Sequence, residues 1–212
     1  MKYNEQTEYW VNPQTGEARY DFDIMYKDIS DPWGCAEGIN SLENKVFLDI
    51  IFQQNKSYEN ILDVGCGLGT LSNEVYQRNL NYCEGNLTAV DISNNAIIKA
   101  QKSYPKISFI KVDLLNDDFD WGGKFNLIIL AETLWYLVAD IKGVFTKINK
   151  YLCKDGVVAI KQYFPKNQKY FNKYINGPDH LTKILSKLDF IKKSIVTINN
   201  NDRDVICFIY KK

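Results

Sequence analysis

Residues 61–70 read ILDVGCGLGT, where an apolar run around Asp63 and Val64 is followed by three glycines at alternate positions. The apolar run is typical of a buried β-strand, and the residues after the last glycine have helical spacing. A turn with so few side chains lets a ligand contact the backbone directly. The pattern therefore predicts a ligand-binding loop between a strand and a helix.

Apolar runs and helical stretches alternate along the rest of the chain. Strands are predicted at ILDV, LTAVD, ISFIKV, FNLIIL, VVAIKQY, IKKSIVTI and DVICFIY. This alternation indicates an α/β, Rossmann-like sheet that is mostly parallel and has helices on both faces. Only NNND separates the last two runs, so they should form a hairpin that reverses the last of the seven strands.

Residues 1–40 differ from this pattern and are predicted to form an N-terminal, aromatic-rich segment. Tyrosines and tryptophans lie there among polar and turn-forming residues, which is too aromatic for a disordered tail. Either an arm packed on the surface or a lid over a ligand would account for the composition. Residues 41–212 form the predicted main domain.

The composition excludes several classes of protein. The 212 residues carry 26 basic and 26 acidic side chains, which argues against a general affinity for nucleic acid. Five scattered cysteines form no C-x-x-C pair and His180 is the single histidine, so we expect a reduced, cytoplasmic protein without a metal site. We expect neither a membrane span nor a signal peptide.

Three acidic residues end three successive predicted strands beside the glycine loop: Asp63, Asp91 and Asp113. Asp91 is placed to accept hydrogen bonds from both hydroxyls of a ribose, and Asp113 from the amino group of an adenine. Taken singly, each could instead cap a turn or a helix. Gly69 comes one place too early for the dinucleotide pattern G-x-G-x-x-G, and no G-K-[ST] follows for a triphosphate.

The stretches DVGCGLG, AVDIS, VDLLN, FNLIILAETLWYL and YLCKDGVVAI, in this order, resemble the motifs of class I S-adenosylmethionine-dependent methyltransferases. The resemblance covers about residues 42–212, and the combined order is more specific than the glycine motif alone. One departure precedes the fifth strand, where members often carry L-x-P-G-G and this chain has LCKDG.

The resemblance implies S-adenosyl-L-methionine as cofactor and assigns its contacts. The loop would lie beneath the methionine portion, Asp63 would help to hold its amino group through water, Asp91 would bind the ribose, and Asp113 would flank the adenine. The full set implied for the cofactor is Asp63, Gly65, Cys66, Gly67, Gly69, Asp91, Ile92, Asp113, Leu114 and Ala131.

Two residues are candidates for the base that an oxygen acceptor needs. Glu132 interrupts an otherwise apolar run, so it should face a cleft, although a structural ion pair is the alternative. His180 lies on a connection that could reach the acceptor, or is an exposed helix residue without a role. Substrate contacts are predicted for aromatic residues whose alternative is core packing, Trp33, Trp135 and Tyr136, and for Tyr163.

DPWG at 31–34 and AETLWYL at 131–137 resemble nodulation-type N-methyltransferases and, equally, small methyltransferases of bacterial surface-polysaccharide (capsule) pathways. We therefore predict methyl transfer to an oxygen or nitrogen of a small sugar-like or phosphorylated metabolite, by a monomer or homodimer.

Three other functions compete with this prediction. A nicotinamide-dependent reductase also uses an acid after the second strand, and a non-catalytic module could retain the fold. A nucleic-acid methyltransferase would carry N/D-P-P-Y/F/W after the fourth strand, where this chain has AETLW.

Overall fold

A computed structural model of the chain describes residues 7–54, 57–117, 121, 123–188, 191–199, 201 and 203–211. Seven strands form one sheet: β1 Asn60–Val64, β2 Asn86–Asp91, β3 Ser108–Lys111, β4 Phe125–Ala131, β5 Leu152–Pro165, β6 Ile191–Asn199 and β7 Arg203–Lys211. Their order is β3-β2-β1-β4-β5-β7-β6. The first five are parallel, and β7 lies antiparallel between β5 and β6, so the predicted fold class is confirmed.

Among the described helices, three have four residues each and six are longer. Their bounds are α1 Thr7–Trp10, α2 Phe22–Asp28, α3 Cys35–Gly38, α4 Leu42–Gln54, α5 Thr70–Leu80, α6 Asn94–Ser103, α7 Leu134–Leu137, α8 Ile141–Tyr151 and α9 Gly177–Leu185, with a 3-10 turn at Val138–Asp140. In this part of the chain, no helix combines the length and apolar character that a membrane crossing requires.

Apolar side chains cover both faces of the sheet, because alternate residues of a strand point to opposite sides. On one face, Leu62 and Ile128 pack with residues of α8 and α9. On the other face, Ile61 and Leu127 pack with residues of α4, α5 and α6. Burial on both faces explains why β4 reads as an uninterrupted apolar run.

Strand β5 begins at Leu152, five residues before the start that the sequence predicted. The pairing of β4 with β5 shifts register between Phe125 and Leu127, so the extra residues of β5 bulge out of the ladder. Gly156 lies inside this strand.

The described part of the N-terminal segment packs on helix α6 through α2. Asp23 accepts hydrogen bonds from Ser93 Oγ at 2.9 Å and from the Asn95 backbone N–H at 2.8 Å. Lys99 donates to the backbone carbonyl of Ile29 at 3.2 Å. These contacts hold residues that the sequence left without predicted secondary structure against the carboxyl end of the sheet.

Candidate functional site

A cavity of about 560 Å³ lies at the carboxyl ends of the central strands, under the N-terminal segment. Its wall combines strand ends, the glycine loop and residues of α2, α3 and α4. Most of the predicted site residues line it: Trp33, Asp63, Gly65, Cys66, Gly67, Asp91, Ile92, Asp113, Leu114, Ala131, Glu132, Tyr136 and Tyr163. The structure thus brings together side chains that the sequence only placed at separate strand ends.

The first glycine of the loop is required by close packing. Gly65 has φ +75°, and a Cβ there would lie 2.4 Å from Thr133 Oγ1. Thr133 is fixed in turn, because its hydroxyl donates to the Val64 carbonyl at 2.9 Å. Any side chain at position 65 would displace Thr133, so the backbone stays open to the cavity.

The second glycine joins the loop to the N-terminal segment. A Cβ at Gly67 would lie 2.6 Å from the hydroxyl oxygen of Tyr26, which belongs to α2. The backbone N–H of Gly67 donates to Asp91 Oδ2 at 2.8 Å. The loop is therefore clamped between β2 and α2.

Asp91 ends β2 and faces the cavity with a partly satisfied carboxylate. Besides the bond from Gly67, its Oδ1 accepts from the Ser93 backbone N–H at 2.9 Å. Burial raises the pKa of Asp91, and these backbone hydrogen bonds oppose the rise. A carboxylate oxygen can accept two hydrogen bonds, so each retains capacity for a hydroxyl group of a ligand.

Asp63 is 2% exposed and accepts one hydrogen bond, from Ser72 Oγ at 2.6 Å. Burial raises the pKa of Asp63 to about 6, which Ser72 and Lys161 only partly oppose. A buried carboxylate is stabilised by a cation placed beside it. The ammonium group of a ligand in this cavity would supply that cation.

Asp113 caps the turn after β3 and also lines the cavity. Its Oδ1 accepts from the backbone N–H groups of Leu115 at 3.0 Å and Asn116 at 3.2 Å. The turn role that the sequence left open is therefore present, and it coexists with a place in the cavity. Ile92 and Leu114 add apolar surface to the same wall.

Glu132 follows β4 with φ 61°, a conformation uncommon for residues other than glycine. Its Oε2 accepts from the Tyr163 backbone N–H at 2.8 Å and from Gln162 Nε2 at 3.3 Å, while Oε1 lies 3.6 Å from Lys161 Nζ. A third of the side chain is exposed, yet burial of the carboxyl group raises its pKa, opposed chiefly by Lys161. Glu132 therefore both lines the cavity and lies beside the ammonium group of Lys161, so the two predicted alternatives coexist.

Three predicted site residues do not line the cavity. His180 lies in α9, where its Nδ1 accepts from the Asn176 backbone N–H at 3.1 Å. Trp135 is 6% exposed and packs edge-on against Phe164. Gly69 directly precedes α5, and a Cβ there would lie 2.6 Å from the Phe109 ring.

Several cavity residues escaped the sequence analysis because they come from distant segments. Tyr26 and Asn44 approach from the N-terminal side, and Arg203 approaches from β7. Thr133 could have been predicted from the sequence, because it directly follows Glu132 at the end of β4.

Comparison with known proteins identifies the family. Residues 55–200 match the family described as "Methyltransferase domain". The chain belongs to this family, and the predicted recognition of a class I S-adenosylmethionine-dependent methyltransferase is confirmed. That identification agrees with a glycine loop and acidic strand ends gathered around one cavity.

Individual relatives cover the same region. Malonyl-(acyl-carrier protein) O-methyltransferase of Acetivibrio thermocellus is 29% identical over 119 residues, 55% of this chain and 40% of that protein. Nodulation protein S of Azorhizobium caulinodans is 24% identical over 138 residues, 63% of this chain and 64% of that protein. The chain thus spans about half the length of these curated relatives.

Among solved structures, the N-methyltransferase NodS of Bradyrhizobium japonicum, in complex with S-adenosyl-L-homocysteine, has a similar fold. The TM-score is 0.70 at 19% identity, covering 91% of this chain and 97% of that one. This similarity concerns the fold.

Proposed function

We propose that the protein transfers a methyl group from S-adenosyl-L-methionine to an oxygen or nitrogen of a small, sugar-like acceptor. The observation that carries the proposal is the convergence of Asp63, the loop at Gly65–Gly67 and Asp91 on one cavity. The family match and the neighbour solved with S-adenosyl-L-homocysteine support the same donor.

The described residues fit this donor chemically. The bare backbone at Gly65 and Gly67 leaves room for the methionine portion, and Asp63 offers an incompletely compensated carboxylate to its ammonium group. Asp91 retains hydrogen-bonding capacity for two ribose hydroxyls. Ile92 and Leu114 would contact the adenine, with Asp113 at its edge.

The protein's contribution to methyl transfer would be mainly orientation. The bound sulfonium supplies an already activated methyl group, so the chain has to align the acceptor with it and exclude water. Trp33, Tyr136 and Tyr163 line the cavity and offer aromatic faces to an acceptor or to a cationic centre. Tyr136 is held edge-on to Phe22 with ring centroids 4.7 Å apart.

The charged side chains around Glu132 on the cavity wall favour an acceptor without a phosphate group over a phosphorylated one. Lys161 faces Glu132 at 3.6 Å, and Arg203 faces Glu43 at 3.9 Å. Each of these cations already has an acidic neighbour, so a phosphate would have to compete with a carboxylate for it. A hydroxyl-rich or amine-bearing molecule suits such a wall better.

The N-terminal segment is proposed to act as a lid as well as a packed arm. Tyr26 covers the glycine loop and Trp33 lines the cavity, while Asp23 anchors the segment to α6. Likeness to the solved N-methyltransferase NodS supports nitrogen as the methylated atom, whereas the relative from Acetivibrio thermocellus is named as an O-methyltransferase. A role in capsule modification, a cytoplasmic location and a monomeric or dimeric state stay predictions.

Calorimetric titration tests the donor first. S-adenosyl-L-methionine and S-adenosyl-L-homocysteine are expected to bind one site, and NADH is expected to give no heat. Absence of binding at millimolar donor would refute the proposal, whereas NADH binding would support the reductase.

A homocysteine-release assay with hydroxyl, amino and phosphorylated sugars then tests the acceptor. Donor binding without turnover on any acceptor would favour the non-catalytic module. Preferential turnover of a phosphorylated sugar would contradict the argument from charge.

A further inference from the structure

Lys161 is a buried lysine whose contacts do not follow from the fold alone. It occupies β5, its side chain is 9% exposed, and its Nζ lies 2.5 Å from Asn44 Oδ1 of helix α4. Ordering and burying an ammonium group costs free energy unless its partners compensate. A lysine retained there beside an acid, on a cavity wall, therefore calls for a functional explanation.

The two oxygens of Glu132 are not equivalent. Oε2 is committed to the Tyr163 backbone N–H at 2.8 Å, and Gln162 Nε2 lies 3.3 Å away. Oε1 has Lys161 Nζ at 3.6 Å, beyond the usual hydrogen-bond range of roughly 2.7–3.2 Å. Oε1 is thus near a positive charge without being occupied by it.

Asn44 accounts for that separation. Its side-chain amide donates to the Gly38 carbonyl at 2.8 Å, which turns Oδ1 toward Lys161. The ammonium group is held on the Asn44 side, so it does not close onto Glu132. The backbone of Glu132 is fixed too, since its N–H donates to the Lys161 carbonyl at 2.7 Å.

We propose that Lys161, tethered by Asn44, is a positioning residue that keeps Glu132 Oε1 charged and open toward the cavity, as the acceptor of a proton from the methyl acceptor. This inference rests on the proposed methyltransferase function. The acceptor's lone pair bonds to the methyl carbon while the carbon–sulfur bond breaks and leaves its electron pair on sulfur. The proton lost from the acceptor O–H or N–H passes to Oε1.

Electrostatics agree with this geometry. The Lys161 ammonium lowers the pKa of Glu132 against the rise that burial causes, so it favours the carboxylate. Four other titratable groups interact with this pair, and they are Arg203, Cys35, Cys207 and Asp63. Glu43 lies beside Arg203, at 3.9 Å. Of the cations, Arg203 is the weaker influence on Glu132.

The test is a direct pH titration of Glu132, which needs no acceptor. Protein carrying ¹³C at its glutamate carboxyl groups is titrated by NMR, and Glu132→Gln assigns the signal. Lys161→Met is expected to raise the pKa of Glu132, because the stabilising charge is lost. Asn44→Ala is expected to lower it, because the released ammonium group can close onto Oε1.

If Lys161 and Asn44 only supported the fold, their substitutions would not shift the pKa of Glu132 in opposite directions. An unchanged Glu132 titration in both variants would overturn the proposal, as would shifts of the same sign. If Lys161→Met does not fold, Asn44→Ala decides alone, and any outcome other than a lowered pKa refutes the tether.

Lys166→Met is the matched control, because Lys166 pairs with Asp204 at 2.5 Å and neither residue lines the cavity. It should leave the Glu132 titration unchanged, and an equal shift there would also overturn the proposal. Calorimetry with S-adenosyl-L-methionine on the unmodified protein is run in parallel. Failed donor binding would refute the proposed function, whereas a failed titration with normal donor binding would refute only the role of Lys161.

Discussion

At the residue scale, Asp63 shows how a group proposed to bind the donor can oppose stability. Its carboxylate is almost fully buried with one hydrogen-bond donor, and burial raises its pKa to about 6 from 3.8. The folded chain therefore binds this proton more readily than the unfolded chain. The stability that this proton contributes is present below pH 3.8 and is lost as the pH rises through 6.

We predict that Asp63→Asn stabilises the ligand-free protein at pH 8 by about 3 kcal/mol, since the shift from 3.8 to about 6 is worth that much. The amide still accepts from Ser72 but carries no charge. Chemical denaturation at pH 8 and pH 4 measures the effect, which should disappear at pH 4. Equal stabilisation at both pH values would contradict the assignment to ionisation. The same variant should bind S-adenosyl-L-methionine more weakly.

A substitution at Asp91 tests the proposed contact with the ribose hydroxyls. Asp91→Ala removes the acceptor for Gly67 N–H and for the proposed ribose hydroxyls, which should weaken binding of S-adenosyl-L-homocysteine roughly 30- to 150-fold, about 2–3 kcal/mol. Calorimetry measures the affinity. Asp140→Ala is the control, because Asp140 only caps α8 by accepting from Gly143 N–H. Equal losses in both variants would leave Asp91 without a specific role.

At the element scale, the loop after β1 and helix α2 constrain each other. We predict that Gly67→Ala weakens binding of S-adenosyl-L-homocysteine, because the new Cβ would lie 2.6 Å from the Tyr26 hydroxyl oxygen. Adding Tyr26→Phe should restore part of the affinity. The remaining deficit should be about 1–2 kcal/mol, the cost of a left-handed backbone at a residue with Cβ.

Calorimetry on the two single variants and the double variant measures this coupling. Gly123→Ala is the control, since a Cβ there meets nothing within 4 Å. Purely additive losses would mean that α2 does not cover the loop in solution.

Elements were more predictable than contacts. The glycine loop and the acids at the strand ends followed from local spacing, because parallel strands bring their carboxyl ends to one edge. Lys161 and Asn44 stand 117 positions apart, and no local pattern predicts that they touch. Trp135 and Tyr136 are adjacent on α7, yet only Tyr136 faces the cavity, since a helix turns about 100° per residue. His180 was placed by proximity to a loop, which does not fix the direction of a side chain.

At the scale of the whole molecule, the cavity joins the N-terminal segment to strands from both halves of the sheet. A ligand there contacts groups that unfolding would separate, so binding should stabilise the entire fold. At a concentration of 100 times Kd, stabilisation is about 2.7 kcal/mol, or roughly 5–10 °C in Tm for a chain of this size. Thermal denaturation with S-adenosyl-L-homocysteine measures the shift. Asp91→Ala should reduce it, and an undiminished shift would place the ligand elsewhere.

The position of β7 has a consequence for how the protein is made. Among the described strands, β6 pairs with β7, and β7 pairs along its length with both β5 and β6. The four strands from β3 to β4 can assemble on a ribosome as soon as residue 131 is free. Strand β6 must wait, unpaired, until residues 203–211 emerge, so the sheet is completed only after all seven strands have been synthesised. A translational pause or a premature stop before residue 203 would expose an open sheet edge to chaperones and proteases.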